Sequence, residues 1–217
     1  MTTERKLIVL DVDSTLTQDE GIDLLARYVS DEAAREVSDI TARAMAGELD
    51  FSESLVARVR ALGGLSLDDV ASATARVRLS VGAETLVRSA QAAGHLVAAV
   101  SGGFHQMIDP LAADLGLDMH RANRFEVHDG LLTGRIDGPI VDAEAKRDSL
   151  FRWAEQHDIS RSNTVAVGDG GNDVLMLSAA GVGIAYMAKD VTRAAADIVI
   201  NTPDLALVLD EIGVRRV

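Results

Sequence analysis

Acidic and hydroxyl side chains follow directly after an apolar run near the beginning of the chain. Leu7–Leu10 is apolar throughout, which indicates a strand buried on both faces, and Asp11, Asp13, Ser14 and Thr15 come next. In open α/β sheets, ligands bind beyond the carboxyl ends of the strands. Two carboxylates at such a place need a divalent cation or a shared proton, because unpaired buried charges are costly. The same residue types are also ordinary in turns, so this stretch alone leaves both interpretations open.

Two later apolar runs end in similar polar loops. Residues 95–100 are followed by Ser101, Gly102 and Gly103, and residues 164–167 are followed by the sequence GDGGND, which contains Asp169. Because the carboxyl ends of parallel strands share one edge of a sheet, we expect Asp11, Asp13 and Asp169 to lie together. Oxygen ligands without cysteine favour the hard cation Mg²⁺, and a carboxylate site beside a helix N-terminus is suited to a phosphate.

The elements that must position these residues are predicted from periodicity. Helical patterns cover residues 20–46 (with a break near Ser30–Asp31), 51–62 and 66–77, and no strand pattern occurs between Thr17 and Leu79. A helical insert therefore interrupts the α/β alternation directly after the first strand, where it would cover the carboxyl end of the sheet. We predict a core domain of residues 1–17 and 79–217 and a cap domain of residues 18–78.

Strand and helix patterns alternate again after residue 79, which predicts βαβ units. The expected fold class is α/β, with a Rossmann-like, doubly wound, mostly parallel sheet. Residues 123–142 predict a β-hairpin or flap around Asp129-Gly130. Thr202 and Pro203 predict an N-cap and first turn for a last helix that ends near Ile212.

The composition excludes several classes of function. The chain has 217 residues, of which 47% are hydrophobic, so a substantial core is expected. The formal net charge of -13 argues against partners such as nucleic acid or an anionic membrane. The chain has no cysteine, no signal-peptide pattern and no membrane-spanning run, so we expect a cytoplasmic protein. Nothing in the sequence decides between a monomer and a homodimer.

Several ordered motifs resemble those of phosphatases of the haloacid dehalogenase superfamily, and more closely the phosphoserine phosphatase family. The superfamily motifs are matched by Asp11-Val12-Asp13-Ser14-Thr15, by Ser101 in VSGGF, by Lys146, and by the run from Gly168 to Asp173. The closer resemblance is carried by Glu20, ITARAMAGELDF, SLVARV and DGLLTGRIDGPIVD. It extends over nearly the whole chain. Two differences are Val81, where the family has proline, and Gly171, where alanine is common.

The resemblance implies roles for particular residues in the hydrolysis of O-phospho-L-serine, the last step of L-serine biosynthesis. Asp11 would be the nucleophile that forms an aspartyl-phosphate, and Asp13 the general acid and base. Mg²⁺ would be held by the side chains of Asp11 and Asp169 and by the backbone carbonyl of Asp13. The residues implied for the phosphoryl group and its surroundings are Ser101, Gly102, Lys146, Asn172 and Asp173.

The resemblance also implies a substrate pocket in the cap. Glu20 would meet the substrate ammonium group, and Arg58 its carboxylate, while Met45 and Phe51 would form an apolar wall. Taken singly, each of these residues is as ordinary on a helix surface or in a core as in a pocket.

Other polar residues are expected to have no role in the site. Asp19 and Asp23 are expected to face solvent. The histidines are expected to lie mostly at the surface, and none is assigned as a ligand: His95, His105, His120, His128 and His157.

Two alternative functions stay open. The same chemistry could transfer the phosphoryl group to another amino alcohol, or act on another small substrate such as phosphohomoserine. A non-catalytic module that binds Mg²⁺ and phosphate is the alternative of another class. The nucleophile, the acid/base and the lysine are all present, which favours an enzyme, a phosphoric monoester hydrolase.

Overall fold

The computed structural model describes residues 4–45 and 48–217, with the backbone only at Met45. Within these residues, no helix is both long and apolar enough to cross a membrane. The strands are β1 (Leu7–Leu10), β2 (Leu96–Phe104), β3 (Met119–Asn123), β4 (Phe125–His128), β5 (Leu131–Ile136), β6 (Thr164–Gly168), β7 (Val182–Tyr186) and β8 (Ile198–Ile200). The helices are α1 (Gly21–Val29), α2 (Asp31–Met45), α3 (Phe51–Arg60), α4 (Leu67–Thr74), α5 (Ala83–Ala92), α6 (His105–Leu115), α7 (Ala143–Gln156), α8 (Val174–Ala179), α9 (Asp190–Ala194) and α10 (Leu207–Glu211).

Six strands form one parallel sheet in the order β3-β2-β1-β6-β7-β8, and β4 and β5 form a separate antiparallel hairpin. The predicted α/β fold with a doubly wound, mostly parallel sheet and a hairpin is therefore confirmed. Strand β1 lies in the middle, between β2 and β6, so the loops that follow these three strands meet at one edge.

The apolar run of β1 has two buried faces. Ile8 and Leu10 belong to an apolar cluster that includes helices α5 and α10, while Leu7 and Val9 belong to a second cluster with α7 and α8. Side chains alternate between the two faces of a strand, so a strand covered by helices on both sides must be apolar at every position.

Helices α1 to α4 form the helical insert (residues 18–78). Their apolar side chains share one cluster with Phe104 and Met107 of the sheet side and with Phe125 and Leu132 of the hairpin. The rings of Phe104 and Phe125 are stacked, with centroids 3.6 Å apart. Since the hairpin also exchanges backbone hydrogen bonds with residues 64–67, the helical insert packs on both the sheet and the hairpin.

Two chain segments connect the helical insert to the sheet, and they are joined to each other. Thr17 pairs with Leu79 as an isolated bridge, and Asp19 accepts two hydrogen bonds from the Arg78 guanidinium at 2.7 and 3.2 Å. The expectation that Asp19 faces solvent is therefore wrong, since its side chain is only 13% exposed. The Arg78 hydrogen bond holds the pKa of Asp19 below its ordinary value.

Strand β3 and the last helix differ from the sequence prediction. Strand β3 has no apolar pattern, because it is an edge strand with one neighbour, and no periodicity in the chain predicts it. The last helix starts at Leu207 rather than at Thr202. The Leu205 N–H donates to the Val81 carbonyl at 2.7 Å, which ties residues 202–206 into turns against the start of α5.

Candidate active site

A cavity of about 1050 Å³ lies at the carboxyl edge of the sheet, beneath the helical insert. It is lined from the sheet side by the loops after β1 and β6 and by the end of β2, and from the insert side by α1, α2 and α3. Eight of the residues predicted for the site line it: Asp11, Asp13, Glu20, Phe51, Arg58, Gly102, Asp169 and Asn172. Three more lie buried nearby: Ser101, Lys146 and Asp173.

Lys146 is completely buried between two carboxylates. Its ammonium group donates to Asp11 Oδ1 at 2.5 Å and to Asp173 Oδ1 at 2.7 Å. Helix α7 places it there in its first turn, which is capped by the Asp142 side chain. Burial disfavours the charge of Lys146, but its two carboxylate partners raise its pKa above the ordinary value. It is therefore a permanently charged group beside Asp11.

Asp173 has both carboxylate oxygens engaged. Besides Lys146, it accepts hydrogen bonds from the backbone N–H groups of Asp169 and Gly170, at 3.2 and 3.0 Å. It therefore holds the loop after β6 and the Lys146 side chain in one arrangement. The supporting role implied for Asp173 stays a prediction.

Asp13 lies between the two sides of the cavity. Its Oδ1 accepts from the Gly21 N–H at the start of α1 at 2.7 Å, and its Oδ2 accepts from the Ser101 hydroxyl at 3.2 Å. Burial and the nearby charge of Glu20 raise the pKa of Asp13 to about 6, although these hydrogen bonds act in the opposite direction. A carboxyl group with a pKa near neutrality can both give and take a proton at physiological pH.

Three carboxylates form a cluster that could hold a divalent metal ion: ligand oxygens of Asp11, Asp169 and Asp173 lie within 4.8 Å of one another. Burial, together with Asp173, raises the pKa of Asp11 well above its ordinary value, and the same causes raise that of Asp169 to about 7. With Lys146 as the cation inside the cluster, the four side chains sum to two negative charges when ionised. One divalent cation would neutralise that excess.

Gly102 brings the sheet and the helical insert into contact. A Cβ atom at this position would lie 2.8 Å from Cζ of Phe51, so the Phe51 ring rests on the Gly102 backbone. Asn172 lies at the same place, with its Nδ2 3.7 Å from that position. Phe51, predicted as an apolar wall, therefore does border the cavity. The side chain of Met45 lies outside the described residues.

On the insert side, one guanidinium is surrounded by carboxylates. Burial lowers the pKa of Arg58, and the charges of Glu20, Asp23 and Asp13 raise it, so these groups face one another across the cavity wall. Glu20 also accepts a hydrogen bond from the Ser14 hydroxyl at 2.7 Å. An arginine and a carboxylate on one wall provide a place for a zwitterionic group.

Asp23, Lys189 and Ser54 are polar residues of the cavity that were not among the predicted site residues. Asp23 was expected to face solvent, which is wrong, because it is half-buried and lines the cavity. Its position three residues after Glu20 on α1 was the available signal, since residues three apart share a helix face. Lys189, next to Asp169, and Ser54, whose buried hydroxyl has no partner among the described residues, had no such signal.

A second polar cluster lies away from the cavity. Asp109 Oδ1 contacts a ring nitrogen of His105 at 2.6 Å and of His120 at 2.8 Å. The Ala122 N–H donates to His105 Nε2, so the neutral ring carries its proton on Nδ1 and offers no lone pair to a metal. The histidines were expected to lie mostly at the surface, and His95 is an exception, with 3% of its surface exposed.

The family model of the haloacid dehalogenase-like hydrolases matches residues 8–178. A phosphoserine phosphatase of Streptomyces coelicolor is 49% identical over 212 residues, which cover 98% of this chain and 51% of that protein. The chain thus spans about half the length of this curated relative. A phosphoserine phosphatase of Streptococcus thermophilus is 44% identical over 216 residues, which cover 98% of this chain and 100% of that protein.

Solved structures agree with these relatives. A phospho-aspartyl intermediate analogue of phosphoserine phosphatase superposes with a TM-score of 0.90 and 40% sequence identity. The match covers 96% of this chain and 99% of that structure. The resemblance predicted from the motifs is therefore confirmed.

Proposed function

This chain belongs to the haloacid dehalogenase-like hydrolases, and we propose that it is a Mg²⁺-dependent phosphoserine phosphatase. The reaction is the hydrolysis of O-phospho-L-serine to L-serine and phosphate, which completes L-serine biosynthesis. One observation carries the proposal: a single cavity joins the aspartate pair Asp11 and Asp13 to the opposite-charge pair Glu20 and Arg58. The first pair suits phosphoryl transfer, and the second suits an amino-acid head group.

In the first step, a carboxylate oxygen of Asp11 attacks phosphorus, and the bond from phosphorus to the serine oxygen breaks. Asp13 gives its proton to that oxygen, so that L-serine leaves as the neutral alcohol. The pKa of about 6 supports a protonated fraction of Asp13 near neutral pH. The product of this step is an aspartyl-phosphate on Asp11.

In the second step, water attacks the phosphorus of the aspartyl-phosphate while Asp13, now ionised, takes its proton. The bond between phosphorus and the Asp11 oxygen breaks, which restores the carboxylate and releases phosphate. One residue thus acts first as acid and then as base. Asp13 is held for this by the Gly21 N–H and the Ser101 hydroxyl, which fix both its oxygens.

The phosphoryl oxygens would be held by Lys146 and by the backbone N–H of Gly102, while the single hydroxyl proton of Ser101 is donated to Asp13. Fixed donors in a buried site stabilise the charge that develops on these oxygens without reorganisation. Lys146 is fixed by Asp173, so it keeps its position whether or not a phosphoryl group is bound. Asn172, on the cavity wall beside Gly102, completes the set.

Asp11 and Asp169, with the backbone carbonyl of Asp13, would hold Mg²⁺. The donor set fits, because carboxylate oxygens suit this ion and the cluster carries an excess negative charge. Asp173 is less suited as a ligand, since both its oxygens already accept hydrogen bonds. When bound, the ion would neutralise charge on the phosphoryl group as it transfers.

We also propose a division into a core domain of residues 1–17 and 79–217 and a cap domain of residues 18–78. The two segments that connect these domains pair with each other at Thr17 and Leu79, which supports this division. Closure of the cap would exclude bulk water from the aspartyl-phosphate. A cytoplasmic location is consistent with the absence of cysteine.

The test is phosphate release from O-phospho-L-serine, with and without Mg²⁺, beside phosphothreonine, phosphohomoserine, a sugar phosphate and an aryl phosphate. We expect a metal-dependent preference for phosphoserine that Asp11→Asn abolishes while the protein stays folded. Broad activity would leave the chemistry standing and overturn the substrate. A phosphorylated acceptor in place of free phosphate would identify a phosphotransferase. If neither the wild type nor the variant turned over any of these substrates, the non-catalytic binding module would be favoured.

Arg58→Met tests the substrate head group directly. A hydrogen bond to a charged group contributes about 1.5–3 kcal/mol, so KM for phosphoserine should rise roughly 10- to 150-fold. KM for the aryl phosphate, which has no carboxylate, should stay unchanged. The matched control is Arg60→Met, an exposed arginine on the same helix that does not line the cavity. Equal effects on both substrates would contradict the assignment.

A further inference from the structure

Strand β2 contains an irregularity beside the cavity. Val100 pairs with Arg121 and Phe104 pairs with Asn123, so three residues of β2 lie opposite one residue of β3. Ser101, Gly102 and Gly103 therefore leave the regular ladder. Bulges of this kind re-aim side chains next to active sites, and they leave backbone groups that need other partners.

The side chain of Asn123 supplies those partners. Its Nδ2 donates to the Gly102 carbonyl at 2.8 Å, and its Oδ1 accepts from the Val141 N–H at 2.7 Å. Only one orientation of the amide satisfies a carbonyl and an N–H together, so the side chain is held at both ends. Asn123 is 2% exposed, and water cannot readily replace these bonds.

The bond to Gly102 fixes a peptide group that acts on the site. The same Gly102–Gly103 peptide donates its N–H to Ser101 Oγ at 2.7 Å. Because that N–H occupies a lone pair of the Ser101 oxygen, the hydroxyl proton is left to point at Asp13 Oδ2, 3.2 Å away. Asn123 thus lies at the start of a hydrogen-bonded series that ends on Asp13.

The peptide has little room to turn in any other way. A Cβ at Gly103 would lie 2.9 Å from Asp13 Oδ2, and one at Gly102 would lie 2.8 Å from the Phe51 ring. The other bond of Asn123, to Val141, leads to Asp142, which caps the helix that carries Lys146. A single buried amide therefore joins the irregular end of β2 to the start of α7.

We propose that Asn123 is a positioning residue of this site: it fixes the Gly102–Gly103 peptide so that the Ser101 hydroxyl is directed at Asp13. The proposal rests on the proposed function for its effect on turnover. Asn123 touches neither the substrate nor the reacting atoms. Its contribution should therefore appear in kcat more than in KM for phosphoserine.

The kinetic test uses Asn123→Leu, which has a similar shape and no hydrogen bonds, and Asn123→Asp, which keeps the acceptor for Val141 but loses the donor to Gly102. We expect both variants to lower kcat by about 100-fold, the typical cost of a displacement of about 1 Å, with KM within about threefold of wild type. The matched control is Gln106→Met. The Gln106 side-chain amide makes two equivalent hydrogen bonds, to the N–H and the carbonyl of Phe125, and lies outside the proposed machinery. The kcat of Gln106→Met should therefore equal that of the wild type.

A double-mutant cycle with Ser101→Ala tests the route of the effect. If Asn123 acts through the Ser101 hydroxyl, adding Asn123→Leu to Ser101→Ala should lower kcat by less than threefold further. If the loss of kcat in the double variant equalled the product of the losses in the two single variants, the proposal would be overturned. A kcat of Asn123→Leu no lower than that of Gln106→Met would also overturn it, because Asn123 would then matter only for folding.

Amide hydrogen exchange measured by NMR gives a readout that does not need activity. Exchange of the Gly103 N–H should be faster in both Asn123 variants, while exchange of the Val141 N–H should be faster only in Asn123→Leu. If the wild type releases phosphate from no phosphomonoester, the proposed function fails, and unchanged exchange at Gly103 would separately overturn the inference. Faster exchange there would support the arrangement whatever the substrate.

Discussion

Replacing Lys146 by methionine is expected to destabilise the metal-free protein by about 3–5 kcal/mol, the usual cost of removing one partner from a buried ion pair. Methionine has a similar length and can fill the same space without a charge. The effect should be large because Lys146 has no exposed surface and contacts two carboxylates, one of which is also fully buried.

The magnitude follows from what the substitution leaves behind. Asp11 and Asp173 would lose their shared cation, with their oxygens close to each other and to Asp169. Burial and Asp173 already raise the pKa of Asp11, and losing Lys146 would raise it further. The folded variant then binds more protons than the unfolded chain, so its stability should fall as pH rises and recover towards pH 5.

Urea unfolding at pH 7.5 in the presence of EDTA measures the loss. For a chain of this size, 1 kcal/mol corresponds to about 2–4 °C in Tm, so a fall of about 6–20 °C should accompany it. Mg²⁺ should restore part of the stability by neutralising the remaining carboxylates. Arg147→Met is the matched control, because Arg147 is the next residue and its ion pair with Asp148 is partly exposed. That control should cost no more than about 1 kcal/mol.

Equal losses in the two variants would refute the reasoning, because they would mean that Lys146 does not compensate buried charge. The same conclusion would follow if the loss in Lys146→Met were independent of pH between 5 and 8. If Mg²⁺ stabilised neither the wild type nor the variant, the cluster would not hold the cation.

Three further predictions concern stability. Gly171→Ala should raise stability by about 0.4–1 kcal/mol in urea unfolding, because a Cβ there meets nothing nearer than 3.9 Å and the unfolded chain loses freedom. Burial and the nearby Lys6 lower the pKa of His95, so the unfolded state binds the proton more readily, and stability should fall between about pH 7 and 5. His95→Gln should flatten that dependence, and an unchanged slope would contradict this. Asp19→Asn should lower the free energy of unfolding by at most about 1 kcal/mol, since its partner Arg78 is largely exposed. A loss above about 3 kcal/mol would contradict the view that the Asp19–Arg78 ion pair is an ordinary surface pair.

Much of the site could be read from the sequence because its signals are local. A strand buried on both faces must be apolar at every position, so the runs before Asp11 and Asp169 are recognisable without a structure. The loops that follow parallel strands meet at one edge, which brings these aspartates together. The capping signal at Ser66 and the acidic first turn of α4 are also local, and that helix was expected at nearly its observed position.

The sequence by itself thus determined the α/β alternation, the helical insert and the aspartates at the sheet edge, since each depends on neighbours within a few residues. Only the tertiary structure decided that Lys146 is buried, because a lysine in the first turn of a helix is usually solvated, and its partners are 135 and 27 residues away. It also decided that β3 forms, and that Asn123 bonds to Gly102 across the bulge. The burial of a polar side chain and its hydrogen-bond partners depend on which distant groups exclude water from it, and no periodic pattern in the sequence contains that information.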